Sequence, residues 1–358
     1  MDTVKLNYES LDFSELKSTF YKTNDLSFSW NQLLWAAITV GRKNWGDIKV
    51  DNYKKEIVFR KSMLEFALSV LPKSEQDEYG MDEIKFRSYT SEGFNLMDSS
   101  EKSAISYFIS TIFVKLFASK LLNCPWLMHL DRYRGSLNPT FFKYGKNYEK
   151  TKRPDLVGIR RGPMLKDDIG NPYIDSRWMA FESKGRSTRD RGALKTAKGQ
   201  LSNLNQINSD DPLRIAFELY SSSKNEVKVL WQDPEGENNK DSYSLYIDED
   251  HFLYEYYNPI YQLIRSSTNE IIEFNHKPYV ICEIDRNLKI GLRLDFFEFI
   301  SLRLIELINE QQDENQNEDY VAFYEKELGL YNWTEGADGI LVGTRKLVNR
   351  DSFFSLKK

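Results

Sequence analysis

The chain has 358 residues, with 49 Lys plus Arg against 54 Asp plus Glu and a net charge of −5. That length suffices for one large domain or two to three smaller ones, and the composition is globular rather than disordered. No apolar stretch reads as a membrane span, Met1-Asp2-Thr3-Val4-Lys5 lacks the features of a secretory signal, and Cys124 and Cys282 alone make no disulfide framework, so the expectation is a cytoplasmic chain.

In chain order, residues 1–100 read as a mainly helical N-terminal region, with helices over 28–40 and over 53–71, the second stopped by Pro72. The spacing of Ala104, Ile105, Phe108, Ile109, Ile112, Phe113, Leu116 and Phe117 predicts a long helix from Glu101 to Leu122, capped by Ser99-Ser100 and packed on a sheet. Residues 126–132 read as the first core strand. Arg153-Pro154-Asp155 then opens the apolar run Leu156-Val157-Gly158-Ile159, and after a turn-rich loop comes Trp178-Met179-Ala180-Phe181-Glu182-Ser183-Lys184. Alternation along a strand puts Glu182 and Lys184 on one face, with Met179, Phe181 and Ser183 on the other. If the run after Asp155 pairs beside this strand, two carboxylates and one ammonium converge, a cluster suited to Mg²⁺ beside a phosphodiester. The same residues also read as a surface ion pair, Glu182 beside Lys184, with Asp155 in a turn.

A helix follows over 188–207, with Ala193, Leu194, Ala197, Leu201, Leu204 and Ile207 on one face, and then a strand over 213–219. Gln200 shares the sheet-facing side of that helix.

These motifs resemble the PD-(D/E)xK nuclease superfamily, which includes many restriction and repair endonucleases. Pro154-Asp155 and Glu182-Ser183-Lys184 carry the likeness, over residues 101–231. The resemblance implies an α/β fold with a restriction-endonuclease-like αβββαβ core over 101–232, a mixed central sheet flanked by helices. It implies Mg²⁺, with Mn²⁺ as a substitute, held by Asp155, Glu182 and the backbone carbonyl of Ser183. Lys184 would orient the attacking water or stabilise phosphorane charge. Gln200, which matches a glutamine that many members carry on this helix, would bond that water or hold Lys184. Glu101 is a further acid that could reach the site or simply face the helix dipole. The implied activity is Mg²⁺-dependent endonuclease cleavage of DNA, by analogy in restriction or antiphage defence, as a homodimer or a subunit of a larger complex. Two other readings stay open: RNA cut at the same site, or a nucleic-acid-binding or assembly subunit on a nuclease scaffold.

The charge distribution agrees with a polyanionic partner. Residues 143–198 carry 15 Lys plus Arg against 7 Asp plus Glu, a local net of +8 in an acidic chain. Arg186, Arg189, Arg191, Lys195 and Lys198 are the candidate nucleic-acid contacts; a solvated helix face explains the last four equally well.

Residues 233–358 read as a mixed α/β region for target or partner binding, set off by a loop over 233–239. It holds a strand at 242–247, an aromatic helix at 251–264, a hairpin of 279–284 with 288–294, a helix at 296–308 and an exposed acidic loop at 310–319. Residues 339–346 lack the Walker A spacing, so no ATP site is implied. The histidines His129, His251 and His276 are too far apart in sequence for a histidine-metal motif, and each reads as a partly buried or surface residue.

Overall fold

The computed structural model describes residues 3–11, 22–40, 50–76, 82–130, 153–162, 165–166, 172–174, 176–233, 242–309 and 330–346. The acidic 310–319 segment, most of the 233–239 boundary loop, most of the turn between the two acidic motifs, the 143–152 part of the basic stretch and the Arg191 side chain lie outside the described residues. The chain forms two compact units, Met1–Lys43 with Lys61–Asp248, and Asn44–Arg60 with Glu249–Lys358.

The elements run β1 (Val4–Leu11), β2 (Lys22–Phe28), α1 (Trp30–Thr39), α2 (Val50–Ala67), β3 (Leu68–Gln76), β4 (Asp82–Thr90), α3 (Glu92–Leu96) and α4 (Ser99–Leu121). There follow β5 (Trp126–His129), β6 (Leu156–Ile159), the short β7 (Leu165–Lys166) and β8 (Pro172–Ile174), and β9 (Trp178–Gly185). The first unit closes with α5 (Arg191–Leu201), β10 (Leu204–Ile207), β11 (Leu213–Ser221), β12 (Val227–Gln232) and β13 (Tyr243–Leu245).

The fold is mixed α/β. Among the described residues one sheet has nine strands, ordered β3-β4-β1-β12-β11-β9-β6-β5, with β2 off this path and paired antiparallel to β1. It is a mixed sheet: β9 runs parallel to β11 and antiparallel to β6, and β1 runs parallel to β12. Strand β9 is central and buried on both faces, which its run Trp-Met-Ala-Phe requires. Helix α4 packs against one face. Tyr8, Phe117, Phe217 and Trp231 meet there edge to face, with ring centroids 5.2–6.1 Å apart. Helix α5 packs on the opposite face through Ala193, Leu194, Ala197 and Leu201, all buried.

Several expectations are corrected here. Residues 1–100 are not a separate, mainly helical region: they supply four strands to the same sheet. Helix α2 stops at Ala67, and Pro72 sits inside β3, at the edge of the sheet among the described residues, where proline is tolerated. Phe28 ends β2, and Ser29 starts α1 by a capping box with Gln32. Asp98, rather than the two serines, caps α4, accepting the Ser100 and Glu101 N–H groups. Helix α5 ends at Leu201, because Leu204–Ile207 pairs instead with β13. Helix α4 is long and apolar enough, by length and composition, to cross a membrane, contrary to the expectation for the chain; much of it is buried.

The second unit holds α6 (Glu249–Arg265), β14 (Asn269–Phe274), β15 (Lys277–Asp285), β16 (Leu288–Arg293), α7 (Leu294–Asn309), β17 (Tyr331–Glu335) and β18 (Ile340–Arg345). Its strands form an antiparallel sheet ordered β14-β15-β16-β18-β17. The aromatic face of α6 is buried: Tyr257 stacks on Phe296, and Tyr256 and Tyr257 donate to Asp338.

Candidate active site

Strand pairing builds the site. Leu156 pairs with Phe181, so Asp155, one residue before β6, falls beside Glu182 on β9. The Asp155 N–H donates to Glu182 Oε2 at 3.0 Å, and the Ser183 N–H donates to Asp155 Oδ2 at 2.9 Å. Lys184 Nζ donates to Glu182 Oε1, closing the ion pair along the strand. Its second bond, at 3.0 Å, goes to Gln200 Oε1 on α5, and Gln200 Nε2 donates to the Arg153 carbonyl at 3.2 Å. Asp155, Glu182, Lys184 and Gln200 therefore form one connected group, with Gln200 holding the lysine.

Ser183 points the other way. Its hydroxyl bonds Ser110 of α4 at 2.7 Å, both side chains buried. A strand residue sends its N–H and C=O to the same edge. The Ser183 carbonyl thereby faces the same edge of β9 as its N–H, the edge that β6 pairs with.

The electrostatics are costly. Glu182 is 0 % exposed. Burial, and then the charge of Asp155, pushes its carboxyl up to about 8. Burial also raises Asp155, against the opposing pull of the Ser183 N–H, Lys184, His129 and Tyr107. Buried Glu182 and part-buried Asp155 thus face one ammonium, an arrangement short of positive charge. Among the described residues no group of three or more His, Cys, Asp or Glu can hold a metal by itself. Asp155, Glu182 and the Ser183 carbonyl are hard oxygen donors, and Mg²⁺ keeps several waters, so this donor set fits that ion.

The structure adds residues that sequence reasoning passed over. Tyr107 of α4 donates to Asp155 Oδ1 at 3.3 Å and lies 3.3 Å from His129 Nε2, so His129, partly buried as expected, also stands beside the site. Buried Glu218 on β11 stands next to Lys184 in register and accepts the Asp190 N–H at 2.8 Å, fixing the start of α5. Burial raises its carboxyl too.

The remaining candidates sit apart from this cluster. Glu101 is exposed in the first turn of α4. Arg186 and Arg189 are about half exposed in the loop before α5; Arg186 pairs loosely with Asp190 at 3.7 Å, and Arg189 reaches Glu9 at 4.0 Å and the ring of Tyr220. Lys195 is exposed and Lys198 partly buried on α5. No family model, curated protein or solved structure matches the chain.

Proposed function

We propose that the first unit is a Mg²⁺-dependent endonuclease of the PD-(D/E)xK type, with a restriction-endonuclease-like core, acting on DNA. The observation that carries this is the pair of mutually repelling carboxylates, buried Glu182 and part-buried Asp155, tied to Lys184 and Gln200. The element order α4, β5, β6, β9, α5, β11 supports it, being the order the sequence resemblance calls for once the small β7–β8 hairpin and β10 are set aside.

Asp155, Glu182 and the Ser183 carbonyl would hold the ion. When bound, it would neutralise phosphate charge and acidify a water. Lys184, clamped between Glu182 and Gln200, presents its ammonium to the pentacoordinate phosphorus centre, where negative charge develops. Gln200 keeps that ammonium from swinging into solvent. Arg186, Arg189 and the α5 lysines supply positive charge for the flanking phosphates. Mn²⁺ is expected to substitute for Mg²⁺.

The test is cleavage of supercoiled plasmid, linear duplex, single-stranded DNA and structured RNA with Mg²⁺, Mn²⁺ or EDTA, comparing native protein with Lys184→Ala. We expect metal-dependent DNA cutting that falls by about 10²–10³ in the variant, the usual loss when one transition-state charge contact is removed. Preferential RNA cutting would move the substrate to RNA. No cutting by folded native protein would leave a nucleic-acid-binding scaffold, and cutting that survives Lys184→Ala would place the chemistry elsewhere.

A further inference from the structure

We propose that Tyr107 and His129 are positioning residues of the metal site, a hydrogen-bonded pair that fixes the Oδ1 oxygen of Asp155 for a divalent cation. This rests on the metal reading of Asp155 and Glu182 given above.

The two oxygens of Asp155 are held from different elements. Oδ2 accepts the Ser183 N–H from β9, which the strand geometry fixes. Oδ1 accepts from the Tyr107 hydroxyl at 3.3 Å, and that hydroxyl is in turn 3.3 Å from His129 Nε2. A phenol has one hydrogen to give. When Tyr107 gives it to Asp155, its oxygen is left as the acceptor for His129. The chain is then directional, from the His129 Nε2–H to the Tyr107 oxygen and from the Tyr107 O–H to Asp155, and it selects the Nε2-protonated form of the imidazole. Glu182 is braced by Lys184 and the Asp155 N–H. The pair therefore does for Asp155 what the lysine does for Glu182.

The placement of Tyr107 is built into the fold by a second, independent feature. A Cβ on Gly185 would lie 1.9 Å from the Ser106 carbonyl oxygen and 2.6 Å from the Tyr107 nitrogen. The backbone of α4 is pressed onto β9 one residue past Lys184, and only glycine allows that approach. The Ser110–Ser183 bond pins the next turn of the helix. His129 arrives separately: it pairs with Leu156 across β5 and β6, and the following Leu130 N–H donates to the Asp155 carbonyl at 2.9 Å. Three elements thus deliver Tyr107, His129 and Asp155 to one point. Tyr107 remains 38 % exposed, so the point lies where a hydrated ion can reach it.

Outer partners of metal-ligating groups typically govern affinity by about 10–100-fold. The test is Mn²⁺ binding, read from the electron paramagnetic resonance of the free ion, on the full chain. Native protein is compared with Tyr107→Phe, His129→Ala, the double variant and Asp155→Asn. Tyr107→Phe keeps the ring and its packing, and His129→Ala probes the same chain from its other end. We expect Tyr107→Phe to weaken Mn²⁺ binding about tenfold or more. His129→Ala should weaken it less, and should add nothing in the Tyr107→Phe background, because its effect passes through the lost hydroxyl. Native affinity in Tyr107→Phe, or an equal His129→Ala effect in both backgrounds, overturns the pairing while leaving the metal site standing. Native protein that binds no Mn²⁺, or binds it as well after Asp155→Asn, overturns the metal reading and this inference with it.

Discussion

Replacing Glu182 by glutamine should change stability in a way that reverses with pH. In the metal-free protein the Glu182 carboxyl is pushed up to about 8 by burial and by Asp155. Unfolded, it titrates near ~4.3. Between those values the folded state holds a proton that the unfolded state has released, so native stability is full below the unfolded pKa and falls as pH rises toward the folded one. Integrating that difference gives a penalty of about 1 kcal/mol at pH 5 and about 4–5 kcal/mol at pH 8. Glutamine does not titrate and escapes the penalty. Its oxygen can take the Lys184 bond, but its NH₂ then meets the Asp155 N–H that Glu182 Oε2 now accepts. Two donors facing each other cost on the order of 1–3 kcal/mol at every pH. Glu182→Gln should therefore be more stable than native at pH 8, by about 2–3 kcal/mol, and equal or less stable at pH 5. The assay is urea unfolding with EDTA present, followed by tryptophan fluorescence across pH 5–8. A difference that stays flat with pH, or that turns against the variant at high pH, refutes the account of the site's electrostatics. Added Mg²⁺ should stabilise native protein and not the variant, since only the native site gains from binding.

Gly185→Ala should destabilise the first unit by on the order of 3 kcal/mol or more, because both sides of the clash with Ser106 are backbone and neither can swing away. Denaturant titration checks this, and a midpoint within error of native would refute the close approach of α4 to β9. Arg186→Gln and Arg189→Gln should each lower the salt dependence of duplex binding, by about 0.9 in the slope of log K against log salt, if each neutralises one phosphate. Fluorescence anisotropy over a salt series measures the slope, and an unchanged slope in both would remove this loop from the binding surface.

The acid–lysine group was legible because strand alternation and pairing are local rules. Glu182 and Lys184 two residues apart must share a face, and Asp155 before an apolar run can sit beside them once the runs pair. The sheet-facing side of α5 could be read the same way, which is why Gln200 was found. Tyr107 and His129 carry no such spacing: they come from α4 and β5 and meet Asp155 only through tertiary packing. One hint was present in Gly185, a glycine in an otherwise bulky strand, which marks close backbone approach. The N-terminal strands had a plainer signal. Val4, Leu6 and Tyr8 alternate with Lys5, Asn7 and Glu9, a period of two that was outweighed by the helical segments around it. Helix α5 is shorter than its periodicity predicts because Leu201, Leu204 and Ile207 fit both a helical face and a turn into a buried strand. Local periodicity cannot separate those, and the partner strand β13 decides between them.

The first unit also contains an ion-pair cluster of the opposite kind, and the contrast argues for function at Asp155 and Glu182. Arg87, largely buried, takes Glu75 through both its Nε and Nη2 and Asp25 through Nη1, tying β4 to β3 and β2. There the carboxylate gains: the Arg87 bond is the first cause holding Glu75 down at about 2, even against burial. That is how a sheet uses charge when the purpose is to hold strands together, with a forked guanidinium matched to the acids. At Asp155 and Glu182 the chain buries one acid fully and the other partly, gives them one lysine, and leaves both carboxyls raised. Near neutral pH and above, a structural role would be better served by glutamine at 182, which removes one of the two acids. Groups held at such a cost in the apo fold are characteristic of sites whose charge is completed by something that binds. On the proposed metal reading, a divalent cation would supply the missing charge with the oxygen chemistry these side chains offer, and the stability these acids cost would become part of the affinity for it.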